Sequence, residues 1–208
     1  KLLMRAMKVS ERWRLMKLQE KSEEEIIKSF SVKTDMRIFT WKGERDTIMS
    51  PMDSIRYYKH FLQTGMISVE PQTGHVKVWV GGINYKYFQY DHVGQGARQV
   101  GSTFKPFVYA TAIEQLRMSP CDTIIDGPFM IRKGRHHVTE DWEPRNSDQK
   151  YRGMVTLKKA LANSINTVSA KLIDKTGPEA VVELTKKLGV TSEIPVQPAI
   201  ALGAVDIT

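Results

Sequence analysis

The sequence predicts a mixed α/β (α+β) chain built from antiparallel strands and helices, and three observations point there. Residues 66 to 80 alternate on either side of a Pro71-Gln72-Thr73-Gly74 turn, the pattern of a β-hairpin with one apolar face. An amphipathic helical run starts at Ser102 and extends to about Leu116. Further helical stretches follow over residues 156–163, 166–176 and 178–188, with hardly a break between them.

Taken in order, the chain opens with a loose apolar stripe, Leu2, Leu3, Met7, Val9, Trp13, Met16 and Leu18, set among Lys and Arg. The acidic run Glu23-Glu24-Glu25 follows. A membrane-surface or partner helix fits this pattern, but a solvated interdomain helix asks for less and is preferred. Arg37 to Trp41 reads as a strand, and Ser50-Pro51 opens a helix through Tyr57 and Tyr58. Gly81-Gly82 ends the hairpin. The aromatic loop behind it, with Tyr85, Tyr87, Phe88 and Tyr90, is expected to pack onto its own domain rather than to stack sugars or bases. In the helix from Ser102, the residues expected to face the core are Phe104, Phe107, Val108, Ala112, Ile113 and Leu116, with Pro106 tolerated in the first turn. Pro120 to Gly153 is rich in turn residues. Gly177 and Gly189 stand where C-terminal caps belong.

Composition narrows the function classes. The chain has 208 residues with 41% apolar residues, enough for a real core, which excludes wholesale disorder. Lys and Arg number 31 against 23 Asp and Glu, a net charge of +8. That excess suits nucleic acid, an anionic membrane surface or a polymer bearing carboxylates, and does not choose among them. The single cysteine, Cys121, excludes an intrachain disulfide framework and a Cys-based zinc site. No stretch approaches the ~20 apolar residues of a membrane span, and no secretory signal opens the chain. A start at Lys1 and a stop at Ile207-Thr208 read as a piece of a longer protein.

Ser-x-x-Lys is a nucleophile–base spacing, because residues three apart on a helix share a face. A lysine in the first helical turn feels the positive end of the dipole, which disfavours its charged form and suits it to act as a base. The spacing occurs at Ser102-Thr103-Phe104-Lys105, at a helix start, and at Ser147-Asp148-Gln149-Lys150, among turn residues. The first has the context of a nucleophile; the second reads as a turn. Ser164-Ile165-Asn166 lies between two expected helices, where an N-cap role is the plain alternative. Adjacent His136 and His137 point apart on any regular element, so no metal is expected there. Glu140-Asp141 reads as solvated charge and Cys121 as inert.

The combination carries a resemblance. Arg98 to Tyr109, centred on Ser102-x-x-Lys105, resembles the active-site serine segment of class A penicillin-binding proteins. Trp142-x-Pro144-x-Asn146, then Tyr151-x-Gly153-x-Val155-Thr156-Leu157 and Ala160 to Asn166, resemble that family's run into its second motif. Pro198 to Ala204 and the hairpin ending Val80-Gly81-Gly82 also fit, so the likeness covers roughly residues 31 to 208. Lys175-Thr176-Gly177 matches the third motif only in letters. It begins nine residues after Asn166 and is expected to end a helix, whereas the family carries this motif on a later strand. The true third motif is therefore expected beyond Thr208.

The resemblance implies a serine transpeptidase/β-lactamase-like fold, an antiparallel sheet flanked by helices and incomplete at its C-terminal end. Residues 1–60 would be an interdomain linker and 61–208 a partial transpeptidase domain. It implies D,D-transpeptidation of peptidoglycan stem peptides in the parent protein, with Ser102 attacking D-Ala-D-Ala, Lys105 accepting its proton, Ser164 relaying a proton and Asn166 orienting the substrate amide. β-Lactams would trap Ser102. No cofactor, metal or nucleic acid is implied. The parent would be membrane-anchored, carry a glycosyltransferase domain and work on the periplasmic face of the inner membrane. The piece itself would be impaired. A hydrolytic relative (a β-lactamase or D,D-carboxypeptidase) and a non-catalytic sensor or scaffold are the alternatives.

Overall fold

A computed structural model describes residues 1–208, which divide into two compact units, Lys1–Val93 and Gly94–Thr208. In the first unit the opening stripe is not one helix but three: α1 (Leu2–Lys8), α2 (Glu11–Leu18) and α3 (Glu23–Ser29). The breaks are chemical. Ser10 and Ser22 each turn a hydroxyl back onto a backbone N–H three residues on, and Ser22 with Glu25 forms a full capping box. The Glu23 run is thus the first turn of α3, where negative charge favours the helix. Met7, Trp13, Ile26 and Phe30 close into a small core, while Leu2, Val9 and Leu18 stay exposed.

A hairpin follows, β1 (Thr34–Thr40) against β2 (Gly43–Met49), then α4 (Pro51–Lys59), capped by Ser50. Tyr57 and Tyr58 of α4 hold β1 by both backbone polar groups of one residue. The Tyr57 hydroxyl donates to the Phe39 carbonyl at 2.8 Å, and the Phe39 N–H donates to the Tyr58 oxygen at 3.0 Å. Phe61 and Phe88 pack edge-on or tilted around them and Tyr87 stacks on Tyr58, so the aromatic loop does pack onto its own unit, though Tyr85 and Tyr90 stay exposed.

The second hairpin, β3 (Met66–Val69) with β4 (Val76–Val80), forms where expected, with a bulge between Ser68 and Val69. Its apolar face is not covered: every residue of both strands is exposed. Alternation fixes which side chains share a face. It does not supply the element that must lie on it.

The second unit holds β5 (Arg98–Gln99), α5 (Lys105–Leu116), β6 (Thr123–Asp126), β7 (Gly153–Thr156), α6 (Leu157–Ala162), α7 (Asn166–Thr176), α8 (Pro178–Lys187) and β8 (Asp206–Ile207). Short 3₁₀ turns lie at Gly101–Phe104, Arg135–His137 and Pro198–Leu202. β5 pairs with β8 and β6 with β7, both antiparallel. Strands of this chain therefore pair only in twos, in four antiparallel ladders.

α5 begins later than expected, and its apolar stripe departs from expectation at the C-terminal end. Ser102 lies in the 3₁₀ turn and the α-helix begins at Lys105. The buried stripe is Lys105, Val108, Tyr109 and Ala112, with Thr111 beside it, whereas Ile113 and Leu116 are exposed. Phe104, Val108 and Ala112 are buried as expected, with Phe107 packed against their core. β6 lies inside the stretch expected to be turns; its four residues are too short to register as a period. Around α5 and α7 the core closes with Val168, Leu172, Ile173, Val181 and Ile200, all fully buried.

Candidate active site

The approach to the site begins with backbone. Val100 N–H donates to the Val205 carbonyl and Gly101 N–H to the Gly203 carbonyl, each at 3.1 Å, which continues the β5–β8 pairing up to the 3₁₀ turn. Gly101 and Gly203 both have positive φ, +55° and +74°. A Cβ on Gly203 would fall 1.8 Å from the Gly101 carbonyl oxygen, so only glycine fits there. The Pro198–Leu202 turn and Gly203 thereby press directly on the turn that carries Ser102.

Ser102 is exposed, and its hydroxyl makes no hydrogen bond. In a 3₁₀ turn residues i and i+3 eclipse, so Lys105 stands on the same side as Ser102. Lys105 nevertheless runs inward and is fully buried. Its Nζ donates to the Ser164 carbonyl at 2.6 Å, to Ser164 Oγ at 2.9 Å and to Asn166 Oδ1 at 2.7 Å. An ammonium has three hydrogens, and here all three have takers. Burial still disfavours the charge and brings the Lys105 pKa down to about 8.

Ser164 owes its position to the end of α6. Ser164 N–H donates to the Leu161 carbonyl at 2.9 Å and Ile165 N–H to the Ala160 carbonyl at 3.0 Å, the paired bonds of a Schellman cap. The left-handed position of that cap usually belongs to glycine, yet Ser164 occupies it with φ +53°. The turn aims both its carbonyl and its hydroxyl at Lys105. Asn166, at the start of α7, is held by Asn146 Oδ1, which accepts its N–H at 2.9 Å, and by the Arg145 carbonyl, which accepts its Nδ2 at 2.9 Å.

Lys105, Ser164 and Asn166 are thus brought together, whereas the Ser102 hydroxyl makes no hydrogen bond to any of them. The N-cap alternative for Ser164 does not describe it: Ile165 takes the N-cap position of α7, and the Ser164 hydroxyl is turned to Lys105. Ser147 and Lys150 lie exposed in the turn that closes with Gln149 N–H donating to the Asn146 carbonyl. Lys175 and Thr176 end α7, and Thr176 Oγ1 donates to the Leu172 carbonyl at 3.1 Å. His136 and His137 sit in a 3₁₀ turn with positive φ, and His136 Nε2 lies 3.1 Å from Asp174 Oδ1, a carboxylate that Arg135 also grips. Asp141 accepts the Lys133 N–H at 2.8 Å, and Cys121 is exposed. Asn146, Thr167 and the buried Asp126, which support the site, do not stand out in the sequence as site residues. Asn146 enters the sequence only as part of the Trp142-x-Pro144-x-Asn146 resemblance, and the burial that joins it to Asp126 and Thr167 is not written there.

Comparison with known proteins gives the family. The penicillin-binding protein middle domain model matches residues 1–62, and the penicillin binding protein transpeptidase domain model matches residues 49–199. A penicillin-binding protein 1A of Aquifex aeolicus is 38% identical over 149 residues, which is 71% of this chain and 20% of that protein. One from Neisseria flavescens is 34% identical over 168 residues, 80% of this chain and 20% of that protein. The crystal structure of penicillin-binding protein 1A from Haemophilus influenzae superposes with a TM-score of 0.64 at 28% identity, over 70% of this chain and 21% of that one. The chain spans about a fifth of the length of these relatives. With the transpeptidase model matched over most of its length, the chain belongs to the penicillin-binding protein transpeptidase family.

Proposed function

We propose that these residues supply the acylation machinery of a peptidoglycan D,D-transpeptidase, with Ser102 as nucleophile and Lys105 as its base. The observation that carries this is the buried Lys105 amine, lowered to about 8 and joined to Ser164 and Asn166, three residues after an unengaged serine. In its neutral form the amine takes the Oγ–H proton of Ser102 as that oxygen attacks the carbonyl carbon of the penultimate D-Ala. The C–N bond then breaks, and the proton passes from Lys105 through the Ser164 hydroxyl to the departing D-Ala amine. An amine of a neighbouring stem peptide attacks the ester, gives up a proton and returns Ser102 to its hydroxyl. Asn166 Nδ2 gives one hydrogen to Arg145 and keeps the other for a substrate carbonyl. Catalytic hydrogen bonds are often long without substrate, so the lack of a Ser102–Lys105 hydrogen bond here does not stand against this pairing.

A penicillin would acylate the same oxygen. The parent protein is read as membrane-anchored, with a glycosyltransferase domain and an extracytoplasmic site, and residues 1–60 as the region joining the two domains. The middle-domain model over residues 1–62 supports a distinct region ahead of the transpeptidase domain, whose own model begins at residue 49. The resemblance implies that the strand bearing the third motif supplies an oxyanion donor; Lys175-Thr176-Gly177 ends a helix instead, so residues 1–208 alone are read as lacking that donor. Loss of one such donor costs on the order of 10²–10³ in rate, and these residues alone should acylate correspondingly slowly.

Fluorescent penicillin labelling of the full-length protein tests the proposal. Ser102→Ala should abolish the covalent adduct with thermal unfolding nearly unchanged. The wild-type rate should be highest above pH 8 and fall as Lys105 gains its proton below it. An adduct that survives Ser102→Ala removes Ser102 from the mechanism. Rapid loss of the adduct to water would indicate a hydrolase instead.

A further inference from the structure

One carboxylate of the second unit is fully buried: Asp126, the last residue of β6. Its Oδ1 accepts Asn146 Nδ2 at 2.8 Å and Thr167 Oγ1 at 2.5 Å, and its Oδ2 accepts the Arg152 N–H at 3.0 Å. The Arg152 guanidinium lies 3.5 Å away. Burial pushes the Asp126 pKa up, but hydrogen bonds from Thr167, Asn146 and Arg152 outweigh it and hold the group below its ordinary value. It stays ionised at neutral pH.

An ionised carboxylate only accepts hydrogen bonds, and so does the Lys150 carbonyl, which takes Asn146 Nδ2 at 2.8 Å. Both amide hydrogens of Asn146 are therefore committed on one side. Its Oδ1 must face the other way, where it accepts the N–H groups of Asn166 at 2.9 Å and Thr167 at 3.3 Å. These belong to the first turn of α7, which has no side-chain cap of its own because Ile165 precedes it. Asn146 caps that helix from a distant segment, and its neighbour Arg145 holds the Asn166 side chain by Nδ2.

We propose that Asp126 and Asn146 are positioning residues for the acylation site: they lock Asn166 by its backbone and aim its Oδ1 at Lys105. The buried charge sets which end of the Asn146 amide faces Asn166, and Asn166 in turn provides one of the three acceptors of the lysine. The catalytic consequence rests on the acyl transfer proposed above.

The test uses Asn146→Ala and Asn146→Asp in the full-length protein. Asn146→Asp keeps the size of the side chain but sets a second acceptor against Asp126. Each variant should slow penicillin acylation by about tenfold to a hundredfold, the scale of a small misplacement of a reacting group. In Asn146→Ala, loosening Asn166 withdraws an acceptor from the Lys105 ammonium, so the acid limb of the rate profile should also move to lower pH; in Asn146→Asp the added carboxyl charge opposes that move, and rate and exchange are the readouts. Mere loss of stability would reduce the folded fraction and leave that limb where it is. Amide hydrogen exchange at Asn166 and Thr167 should accelerate in both variants. A wild-type rate in the folded fraction, with an unmoved limb for Asn146→Ala or with unchanged exchange for Asn146→Asp, overturns the proposal; if Asn146→Ala does not fold, Asn146→Asp decides. Should the wild-type protein fail to acylate at any pH, the function falls first. Exchange then decides the clamp alone, and unchanged exchange at Asn166 and Thr167 overturns it.

Discussion

At the scale of the residue, the site is organised around groups in conformations that the sequence would otherwise avoid. Lys105 is a buried amine, and Ser164 is a non-glycine residue with a left-handed backbone. A serine in that region costs about 1–2 kcal/mol relative to its ordinary conformations, while glycine adopts it freely. The cost is borne where the hydroxyl meets Lys105 at 2.9 Å, which fits strain retained at a working site. Two substitutions separate the backbone from the hydroxyl. Ser164→Ala keeps the unfavourable φ and loses Oγ; Ser164→Gly loses Oγ and relieves φ. Urea denaturation should find Ser164→Gly more stable than Ser164→Ala by about 1 kcal/mol, with penicillin acylation equally depressed in both. Equal stabilities would mean that the Schellman cap is not strained.

At the scale of the element, the turn carrying Ser102 is braced by a second turn that follows it by about a hundred residues in sequence. Gly101 and Gly203 distinguish two causes of a glycine requirement. A Cβ on Gly101 meets nothing within 4 Å, so Gly101→Ala adds only the strain of its positive φ, about 1–2 kcal/mol. A Cβ on Gly203 would strike the Gly101 backbone, so Gly203→Ala must displace the Ser102 turn. Gly203→Ala should cost more stability than Gly101→Ala in urea and slow acylation in the protein that remains folded; equal effects would show the brace to be dispensable. What the sequence reveals follows the same division between local and distant causes. α6, α7 and α8 are legible because apolar period, Gly177 and Gly189 all act within a few residues. Ser102-x-x-Lys105 is legible as a spacing, but its helix begins at Lys105 because the 3₁₀ turn is fixed by Gly203, far along the chain. β6 escapes a reading of the sequence because its partner β7 lies beyond a long turn-rich stretch. The meeting of Lys105 with Ser164 follows from resemblance rather than spacing, and the support from Asp126 and Asn146 needs burial that periodicity does not report.

At the scale of the whole molecule, each unit has its own core. Met7, Trp13, Ile26 and Phe30 lie in Lys1–Val93; Val108, Val168, Leu172 and Ile200 lie in Gly94–Thr208. No helix is long and apolar enough to cross a membrane. The first core is small, so one large side chain is a substantial share of it. Phe30→Ala removes a fully buried ring and should cost about 3–5 kcal/mol; Leu172→Ala in the centre of α7 should cost about 2–5 kcal/mol. Because the two side chains pack into different cores, hydrogen exchange should separate the two variants. Phe30→Ala should raise exchange in α1 to α4 while α5 and α7 keep their protection, and penicillin labelling should persist in the full-length protein. Leu172→Ala should raise exchange across α5, α6 and α7 and reduce labelling, since α7 carries Asn166 on its first turn. A uniform loss of protection over both units after either substitution would show that they unfold as one cooperative body, and that the acylation site depends on the first core as much as on the second.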